Sequence, residues 1–291
     1  MACPNFFLVG SAKCGTSSMH EYLKKHPDIT MSEIKEPDYY YRDYHHSIRE
    51  GFNRRNKPKN MREYLRLFIK DNKRIGESSA RYFKSLTAPY LIKRDYPNAK
   101  ILIILRNPVD MLYSLYKSML IYREDEEDFI KAIEYKEVRQ GKGDEIIPPY
   151  MEYVDYYNNT KRWLDLFGIE SVKVIILEEF LKNKQKIFNE ILGFLDLKEI
   201  IIKFDIVNGQ KLVKHKNIND FICKLTGVIP GFLKFRFLTI LIRKFRQRYL
   251  LEYDKKEITP KKEKKYILKK LKPEIIKLGE LLDKDLINLW I

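Results

Sequence analysis

The chain has 291 residues, of which 44% are hydrophobic and 33% are charged, and its formal net charge at pH 7 is +16. This length suits one large domain or two small ones, and the hydrophobic fraction excludes a disordered chain. The charge is compatible with nucleotide, polyanion or membrane-surface partners, while no stretch reaches the roughly 18 uninterrupted apolar residues of a membrane-spanning helix.

The first predicted elements are a strand, a glycine-bearing loop and a helix. Phe6–Val9 is a short apolar run, Gly10–Thr16 is a loop of small residues broken by Lys13, and from Ser17 onward apolar residues recur at helical spacing. The N–H groups of such a loop and of the first helical turn point at one spot, where the helix dipole adds positive potential. The arrangement therefore predicts a phosphate-binding site.

The loop has an unusual position for its lysine. Gly10 and Gly15 have the spacing of the P-loop pattern G-x-x-x-x-G-K-[ST], but Thr16 stands where that pattern has lysine, and the lysine lies inside the loop at Lys13. The segment K-x-G-T-S-S resembles the 5′-phosphosulfate-binding loop of sulfotransferases that use 3′-phosphoadenosine 5′-phosphosulfate (PAPS). The resemblance implies that the donor is bound by Lys13, Cys14, Gly15, Thr16, Ser17 and Ser18. It also implies that Lys13 stabilises the leaving group; a tight glycine turn without a ligand is the alternative.

The next notable segment, Lys35–Tyr41, sets charged residues beside three consecutive tyrosines. K-E-P-D-Y-Y resembles the K-E-x-H-F-F segment of heparan-type and many microbial sulfotransferases, whose glutamate acts as base on the acceptor hydroxyl. The resemblance implies that Glu36 is the catalytic base, and Pro37 favours an extended backbone at Glu36 that would aim its side chain inward. An ion pair between Glu36 and Lys35 is the alternative. The other candidates for the base are His20, Asp38 and Glu77.

Predicted strands alternate with predicted helices along the following residues. Lys100–Leu105 is a continuous apolar run, of the kind that is buried on both faces of a parallel sheet. Asp28–Ile34 is predicted as a connector. Strands are predicted at Arg74–Glu77 and Val172–Leu177, and helices at Asn60–Asp71, Leu86–Tyr96, Val109–Tyr122, Arg123–Arg139, Tyr150–Phe167 and Phe180–Leu195. The alternation predicts an α/β fold with a central parallel sheet flanked by helices.

A second candidate anion site follows the strand Lys100–Leu105. Asn107 can cap the next helix and Pro108 suits its first turn, so Arg106 is held at the carboxyl end of a strand, where ligands of open α/β sheets bind. A guanidinium there suits a phosphate monoester. The stretch resembles the 3′-phosphate motif of the same family, R-[ND]-P followed by a serine, which implies that Arg106 and Ser114 contact the 3′ phosphate of PAPS. A structural arginine and a packing serine are the alternatives.

The C-terminal third carries weaker signals. The basic cluster Asn208–Lys216 resembles a family segment in which a basic residue reaches the nucleotide phosphates, which implies this role for Lys214. Phe221–Leu251 mixes aromatic, leucine and basic residues, and is interpreted as a membrane-surface patch, a partner face or a packed helical pair within a lid or acceptor-side insertion at about 209–262. Leu281–Trp290 has the form L-x-x-x-D-L-x-x-x-W, which resembles the closing pattern of microbial sulfotransferases.

The three cysteines, Cys3, Cys14 and Cys223, show no metal-ligand spacing, and their odd number argues against a disulfide framework. A reducing, cytoplasmic compartment is therefore expected. Cys14 has no visible partner for nucleophilic chemistry, so it is interpreted as a small residue that fits the turn.

Together these motifs identify the chain as resembling PAPS-dependent sulfotransferases, in one domain over residues 1–291 with a P-loop-like α/β fold. The resemblance implies in-line transfer of a sulfuryl group from PAPS to an acceptor, a hydroxyl of a carbohydrate, lipid or small molecule, with adenosine 3′,5′-bisphosphate as product. No metal is expected. A P-loop nucleotide kinase or NTPase is one alternative, but it needs a lysine after Gly15 and a carboxylate for Mg²⁺. A basic nucleic-acid or membrane-surface binding protein is the other, and steep salt dependence would reveal it.

Overall fold

A computed structural model describes residues 2–43, 57–122, 126–137, 139–140, 146–147, 149–205, 211–213, 251–253 and 259–291. Its central sheet has five parallel strands in the order β2-β3-β1-β4-β7. These strands are β1 (Phe6–Gly10), β2 (Ile29–Met31), β3 (Arg74–Ser78), β4 (Lys100–Leu105) and β7 (Val172–Ile176). The predicted α/β fold with a central parallel sheet is confirmed.

Helices cover the sheet, because parallel strands can be joined only by long crossover connections. The helices within the described ranges are α1 (Thr16–Leu23), α2 (Met61–Leu65), α3 (Ala88–Asp95), α4 (Pro108–Tyr122), α5 (Phe129–Glu134), α6 (Tyr156–Phe167), α7 (Leu177–Lys182), α8 (Lys184–Phe194), α9 (Lys261–Leu282) and α10 (Leu286–Trp290). Two short antiparallel pairs join β5 (Arg139–Gln140) to β6 (Ile146–Ile147) and β8 (Lys211–Val213) to β9 (Leu251–Tyr253). No helix in the described ranges combines the length and apolarity needed to span a membrane.

The sheet centre consists of the two most apolar strands. All five residues of β1 are buried, as are five of the six in β4. In the register of the sheet, Phe6 lies opposite Gly76 on one side and Lys100 on the other. The carboxyl ends of β1, β3 and β4 therefore meet at one edge, and the loops that follow them are placed side by side.

Two connections differ from the prediction. Ile29–Met31, expected as a connector, is the edge strand β2, and its three residues are buried against β3. Three residues are too few for a strand period to be recognised in the sequence. The helix predicted at Asn60–Asp71 is limited to α2, and Phe68 is buried beyond its end. Phe68 fits the helical spacing of the apolar residues, but it reaches the core from the turn after α2 and not from a longer helix.

The helix predicted at Arg123–Arg139 is also shorter than expected. Of the described residues in this range, only those of α5 are helical, with Asp128 accepting the Lys131 N–H at its start, and Arg139 belongs to the short strand β5. The helix predicted at Phe180–Leu195 is two helices, α7 and α8, which meet at Asn183. The pattern of polar and apolar residues does not predict where these helices end, because tertiary contacts override local helix propensity.

The C-terminal helices return to the sheet. α9 buries Ile267, Leu271 and Leu278, and it packs against α6 and α4. Just before α9, the Thr259 hydroxyl donates to the Asp110 carboxylate at 2.8 Å. The chain therefore ends beside the residues that follow β4. Most of the proposed lid at about 209–262, and the surface patch Phe221–Leu251 except its last residue, lie outside the described residues.

Candidate active site

The loop between β1 and α1 depends on two glycines. Gly10 has φ +151°, and a Cβ there would lie 2.4 Å from the Ile104 carbonyl oxygen of β4. Gly15 has φ +89° and begins α1, so it provides no side chain to cap the first turn. The first N–H groups of an α-helix have no partner within the helix. The loop thus brings the positive end of α1 to the carboxyl edge of the sheet, as a phosphate site requires.

Lys13 lies at the top of this loop. Its backbone is left-handed, with φ +61°, and its side chain is partly exposed. Thr16 is buried, whereas Ser17 and Ser18 are partly exposed on the first turn of α1. The residues predicted to bind the 5′ phosphate, Lys13–Ser18, therefore form the end of the loop and the first turn of α1.

Arg106 follows β4 directly, and its Nη1 donates to the Lys13 carbonyl oxygen at 3.4 Å. This contact joins the two anion motifs that the sequence separates by 93 residues. Ser114 lies on α4 and is buried, with 1% of its surface exposed. The structure thus brings Arg106 to the loop after β1, while Ser114 lies within α4, and the predicted contact of both residues with a 3′ phosphate stays a prediction.

The segment around Arg106 is fixed by the C-terminus. The Asn107 side-chain oxygen accepts the Val109 N–H and so caps α4, while its Nδ2 donates to the Trp290 carbonyl oxygen at 2.8 Å. Glu178 accepts the Asn107 N–H at 2.9 Å and the Trp290 indole N–H at 3.0 Å. The closing tryptophan motif therefore supports the residues that hold Arg106. Sequence reasoning missed Glu178, whose only signal was an acidic residue just after a strand.

Cys14 is inaccessible to solvent, and its Sγ lies 3.7 Å from the Tyr156 hydroxyl. Burial raises the pKa of the thiol to about 12. A thiol that stays protonated at neutral pH is a poor nucleophile. Cys14 therefore fills space under the loop, and it can offer a ligand only its backbone N–H.

Glu36 lies on the loop that follows β2, beside the C-terminal end of β3. Its N–H donates to the Ser78 carbonyl oxygen at 2.8 Å. The extended backbone expected before Pro37 is wrong, because Glu36 has φ +57°. The hydrogen bond to β3 holds this residue in a left-handed conformation that its sequence neighbours disfavour.

The charges near Glu36 keep it ionised. Burial acts to raise the pKa of Glu36, but the Lys35 ammonium, 2.5 Å from Oε1, lowers it together with Arg81 and Lys57, and the net pKa is below its ordinary value. The ion pair named above as the alternative reading is therefore present. An ionised carboxylate is also what proton abstraction requires.

The other candidate bases have different surroundings. His20 is buried on α1, and burial together with Lys35 and Lys24 lowers its pKa to about 4. The Asp38 carboxylate forms an ion pair with Lys57. Glu77 is fully buried at the end of β3 and accepts hydrogen bonds from neighbouring hydroxyls. Of the three carboxylate candidates, Glu36 has the most accessible side chain, with 42% of its surface exposed against 6% for Asp38 and none for Glu77.

Glu77 makes the stability of the protein depend on pH. Burial raises the pKa of Glu77 from 4.5 to about 7, with a smaller contribution from the Asp38 charge. Between these values the folded protein binds a proton that the unfolded chain has released, so stability falls as the pH rises from 4.5 to 7, by about 3 kcal/mol.

We expect this loss in urea unfolding of the wild type between pH 5 and pH 8, and a flatter profile in Glu77→Gln. The exposed Glu21→Gln is the matched control and should follow the wild type. Parallel profiles for all three proteins would contradict the assignment.

Lys214 lies outside the described residues, so its predicted contact with the nucleotide stays a prediction. Sequence reasoning also missed the roles of Ser79 and Tyr82. Both follow β3, in a segment where Glu77 was the only residue named as a candidate for the base. Their hydroxyls lie between Glu77 and the loop of Glu36, and this position follows from the pairing of β3 with β2 rather than from any local pattern.

Comparison with known proteins identifies relatives over most of the chain. A family model described as a sulfotransferase domain matches residues 4–219. Carbohydrate sulfotransferase 15 of Homo sapiens is 24% identical over 67% of this chain and 44% of its own length. Bifunctional heparan sulfate N-deacetylase/N-sulfotransferase 1 of Caenorhabditis briggsae is 24% identical over 67% of this chain and 23% of its own length. The chain therefore spans less than half the length of these curated relatives.

A solved structure is similar along the whole chain. The crystal structure of a sulfotransferase from Alicyclobacillus acidocaldarius superposes with a TM-score of 0.70 and 26% sequence identity, and it covers 100% of this chain and 99% of that chain. The alignment therefore spans the loop after β1, Arg106 and the C-terminal helices.

Proposed function

This chain belongs to the sulfotransferase domain family, and from that premise we propose that it transfers a sulfuryl group from PAPS to an acceptor hydroxyl. One observation carries the proposal. Arg106 contacts the Lys13 carbonyl oxygen at 3.4 Å, so two cationic side chains and the start of α1 lie at one edge of the sheet. A donor with two separate phosphate groups matches this arrangement, because each group meets its own cation.

The residues present fit such a donor. Gly15 turns the loop into α1 with φ +89°, and no side chain at this position caps the backbone N–H groups of the first turn, which suits a phosphate. Arg106 presents a planar guanidinium suited to a phosphate monoester. PAPS would supply the sulfuryl group and a good leaving group. Lys13 would hold positive charge beside the leaving phosphate, and Glu36 would accept the proton of the acceptor hydroxyl.

We propose a carbohydrate as the acceptor class. The support comes from the relatives, whose names specify carbohydrate and heparan sulfate substrates. The surface near Glu36 suits a sugar, because it offers stacked rings and cations: Arg42 lies over the Tyr39 ring at 5.1 Å, and Arg81 over the Tyr41 ring at 5.9 Å. The cytoplasmic location, the single domain over 1–291 and the membrane contact through 221–251 stay predictions.

Nucleotide binding tests the donor site. We expect adenosine 3′,5′-bisphosphate to bind roughly ten- to a hundredfold more tightly than AMP, since one charge-assisted contact to the 3′ phosphate contributes about 1.5–3 kcal/mol. Titration calorimetry on the bisphosphate, AMP and ATP measures the difference. In Arg106→Ala the preference for the bisphosphate over AMP should disappear. Arg94→Ala, at an exposed position of α3, is the matched control and should keep this preference.

Equal affinity of the wild type for AMP and the bisphosphate would refute a 3′-phosphate site. Tight binding of ATP that requires Mg²⁺ would instead favour a nucleotide kinase. Nucleic-acid binding with steep salt dependence and no nucleotide affinity would favour a basic binding protein.

A further inference from the structure

The loop that carries Glu36 is attached to the end of β3 at every second residue. The Glu36 N–H donates to the Ser78 carbonyl oxygen at 2.8 Å. The Asp38 N–H donates to Ser79 Oγ at 3.1 Å, and the Tyr40 N–H donates to the Tyr82 hydroxyl at 3.0 Å. These three bonds define a clamp on residues 36–40, and two of its acceptors are side-chain hydroxyls.

Both hydroxyls direct their protons to one buried carboxylate. Ser79 Oγ donates to Glu77 Oε1 at 2.5 Å, and the Tyr82 hydroxyl donates to Oε2 at 3.3 Å. A third hydroxyl, from Tyr64 on α2, donates to Oε2 at 2.6 Å, and it takes part in none of the three clamp bonds. Glu77 itself has no solvent exposure.

The direction of these hydrogen bonds depends on an ionised carboxylate. A carboxylate only accepts, so the hydroxyls of Ser79 and Tyr82 must donate to it and keep their lone pairs for the N–H groups of the loop. A side-chain amide at Glu77 would place an NH₂ group opposite one hydroxyl, and that hydroxyl would then have two donors facing it. The charge on Glu77 therefore sets the polarity of the clamp.

The loop needs such a constraint, because Glu36 and Asp38 have φ angles of +57° and +50°. Non-glycine residues rarely adopt this conformation unless the surroundings impose it. Ionised Glu77 supplies this constraint from a fully buried position, by fixing the hydroxyls of Ser79 and Tyr82. Its contact with the reacting groups is indirect, through Ser79 and Tyr82.

We propose that Glu77 is a positioning residue: its ionised carboxylate orients the Ser79 and Tyr82 hydroxyls, which hold residues 36–40 so that Glu36 faces the acceptor. The assignment of Glu36 as base rests on the proposed function. The clamp itself does not, because it can be measured without any substrate.

Amide exchange resolved by NMR at pH 8, where Glu77 is ionised, tests the clamp. We expect Ser79→Ala to accelerate exchange of the Asp38 amide about tenfold, the factor expected for one lost hydrogen bond, and Tyr82→Phe to do the same at Tyr40. Glu77→Gln should accelerate both. Tyr64→Phe is the matched control: it removes a hydroxyl from the same carboxylate and should leave both amides protected.

The kinetic arm uses radiolabelled PAPS with chemically desulfated heparin as the acceptor probe. In Glu77→Gln we expect turnover at saturating acceptor to fall at least about tenfold, while the affinity for adenosine 3′,5′-bisphosphate stays within about twofold of the wild type. A general loss of stability would instead accelerate exchange across the sheet and weaken nucleotide binding too.

Unchanged exchange at Asp38 and Tyr40 in all three clamp variants would overturn the proposal. So would faster exchange with full turnover, because the clamp would then not serve Glu36. If Glu77→Gln does not fold, Ser79→Ala and Tyr82→Phe decide the question alone. If the wild type transfers no sulfuryl group to the probe, the proposed acceptor class fails, while the exchange pattern still decides the clamp.

Discussion

Lys13→Ala is expected to lower turnover roughly a hundred- to a thousandfold, the cost of losing one donor that stabilises charge at the reacting centre. Affinity for adenosine 3′,5′-bisphosphate should change far less. The backbone N–H groups at the start of α1 still bind the 5′ phosphate, and Arg106 is unaffected as a cation. The loss falls on turnover because negative charge on the leaving phosphate grows only as the sulfuryl group departs.

The measurement compares turnover of radiolabelled PAPS with calorimetric affinity for the bisphosphate. Lys24→Ala is the matched control, since Lys24 is an exposed lysine just after α1. Near-normal turnover in Lys13→Ala would reduce Lys13 to a surface lysine of the loop. An equal loss of turnover and affinity would mean that it binds the ground state and the transition state alike.

Glu36→Gln is expected to lower turnover roughly a hundredfold or more, because glutamine keeps the shape of the side chain but cannot accept a proton. The structure strengthens the choice of Glu36 over its rivals. Its pKa is lowered by Lys35, Arg81 and Lys57 against the effect of burial, so the carboxylate is ionised at neutral pH. Bisphosphate affinity should be unchanged, because Glu36 lies on the loop after β2, whereas the residues assigned to the nucleotide phosphates follow β1 and β4.

Glu33→Gln, an exposed substitution on the same loop, is the matched control. Full activity of Glu36→Gln together with an inactive Asp38→Asn or His20→Ala would move the base to another residue and leave the sulfotransferase assignment intact. If Lys35→Met is inactive and Glu36→Gln is fully active, Lys35 serves the reaction independently of its ion pair with Glu36.

The nucleotide side of the site could be predicted from sequence because its signals are local. One apolar run is followed by a glycine loop, and a second apolar run is followed by arginine, asparagine and proline. Each of these two segments predicts a buried strand, a turn and the start of a helix. Parallel pairing then brings Lys13 and Arg106 to the same edge. Both strands are apolar and almost wholly buried, as central strands of a parallel sheet are.

The acceptor side could be predicted only in part. Glu36 was found through a family pattern, but the extended backbone predicted for it was wrong. The hydrogen bond from its N–H to the Ser78 carbonyl oxygen overrules the local preference of a residue before proline. Ser79 and Tyr82, which lie 2 and 5 positions from Glu77, join this carboxylate to loop residues 41 and 42 positions away from them. No period or motif encodes which hydroxyl meets which carboxylate, because side-chain hydrogen bonds of this kind form only once the strands are paired.

The same division holds at the C-terminus. The leucine, aspartate and tryptophan pattern of Leu281–Trp290 is visible in the sequence alone, and Asp285 caps α10 by accepting the Asn288 N–H at 3.0 Å. The role of Trp290 became apparent only in the fold, because its carbonyl and indole groups bond Asn107 and Glu178, which lie 183 and 112 residues away. Helix caps are local and can be read from neighbouring residues, whereas buried polar groups find their partners across the fold.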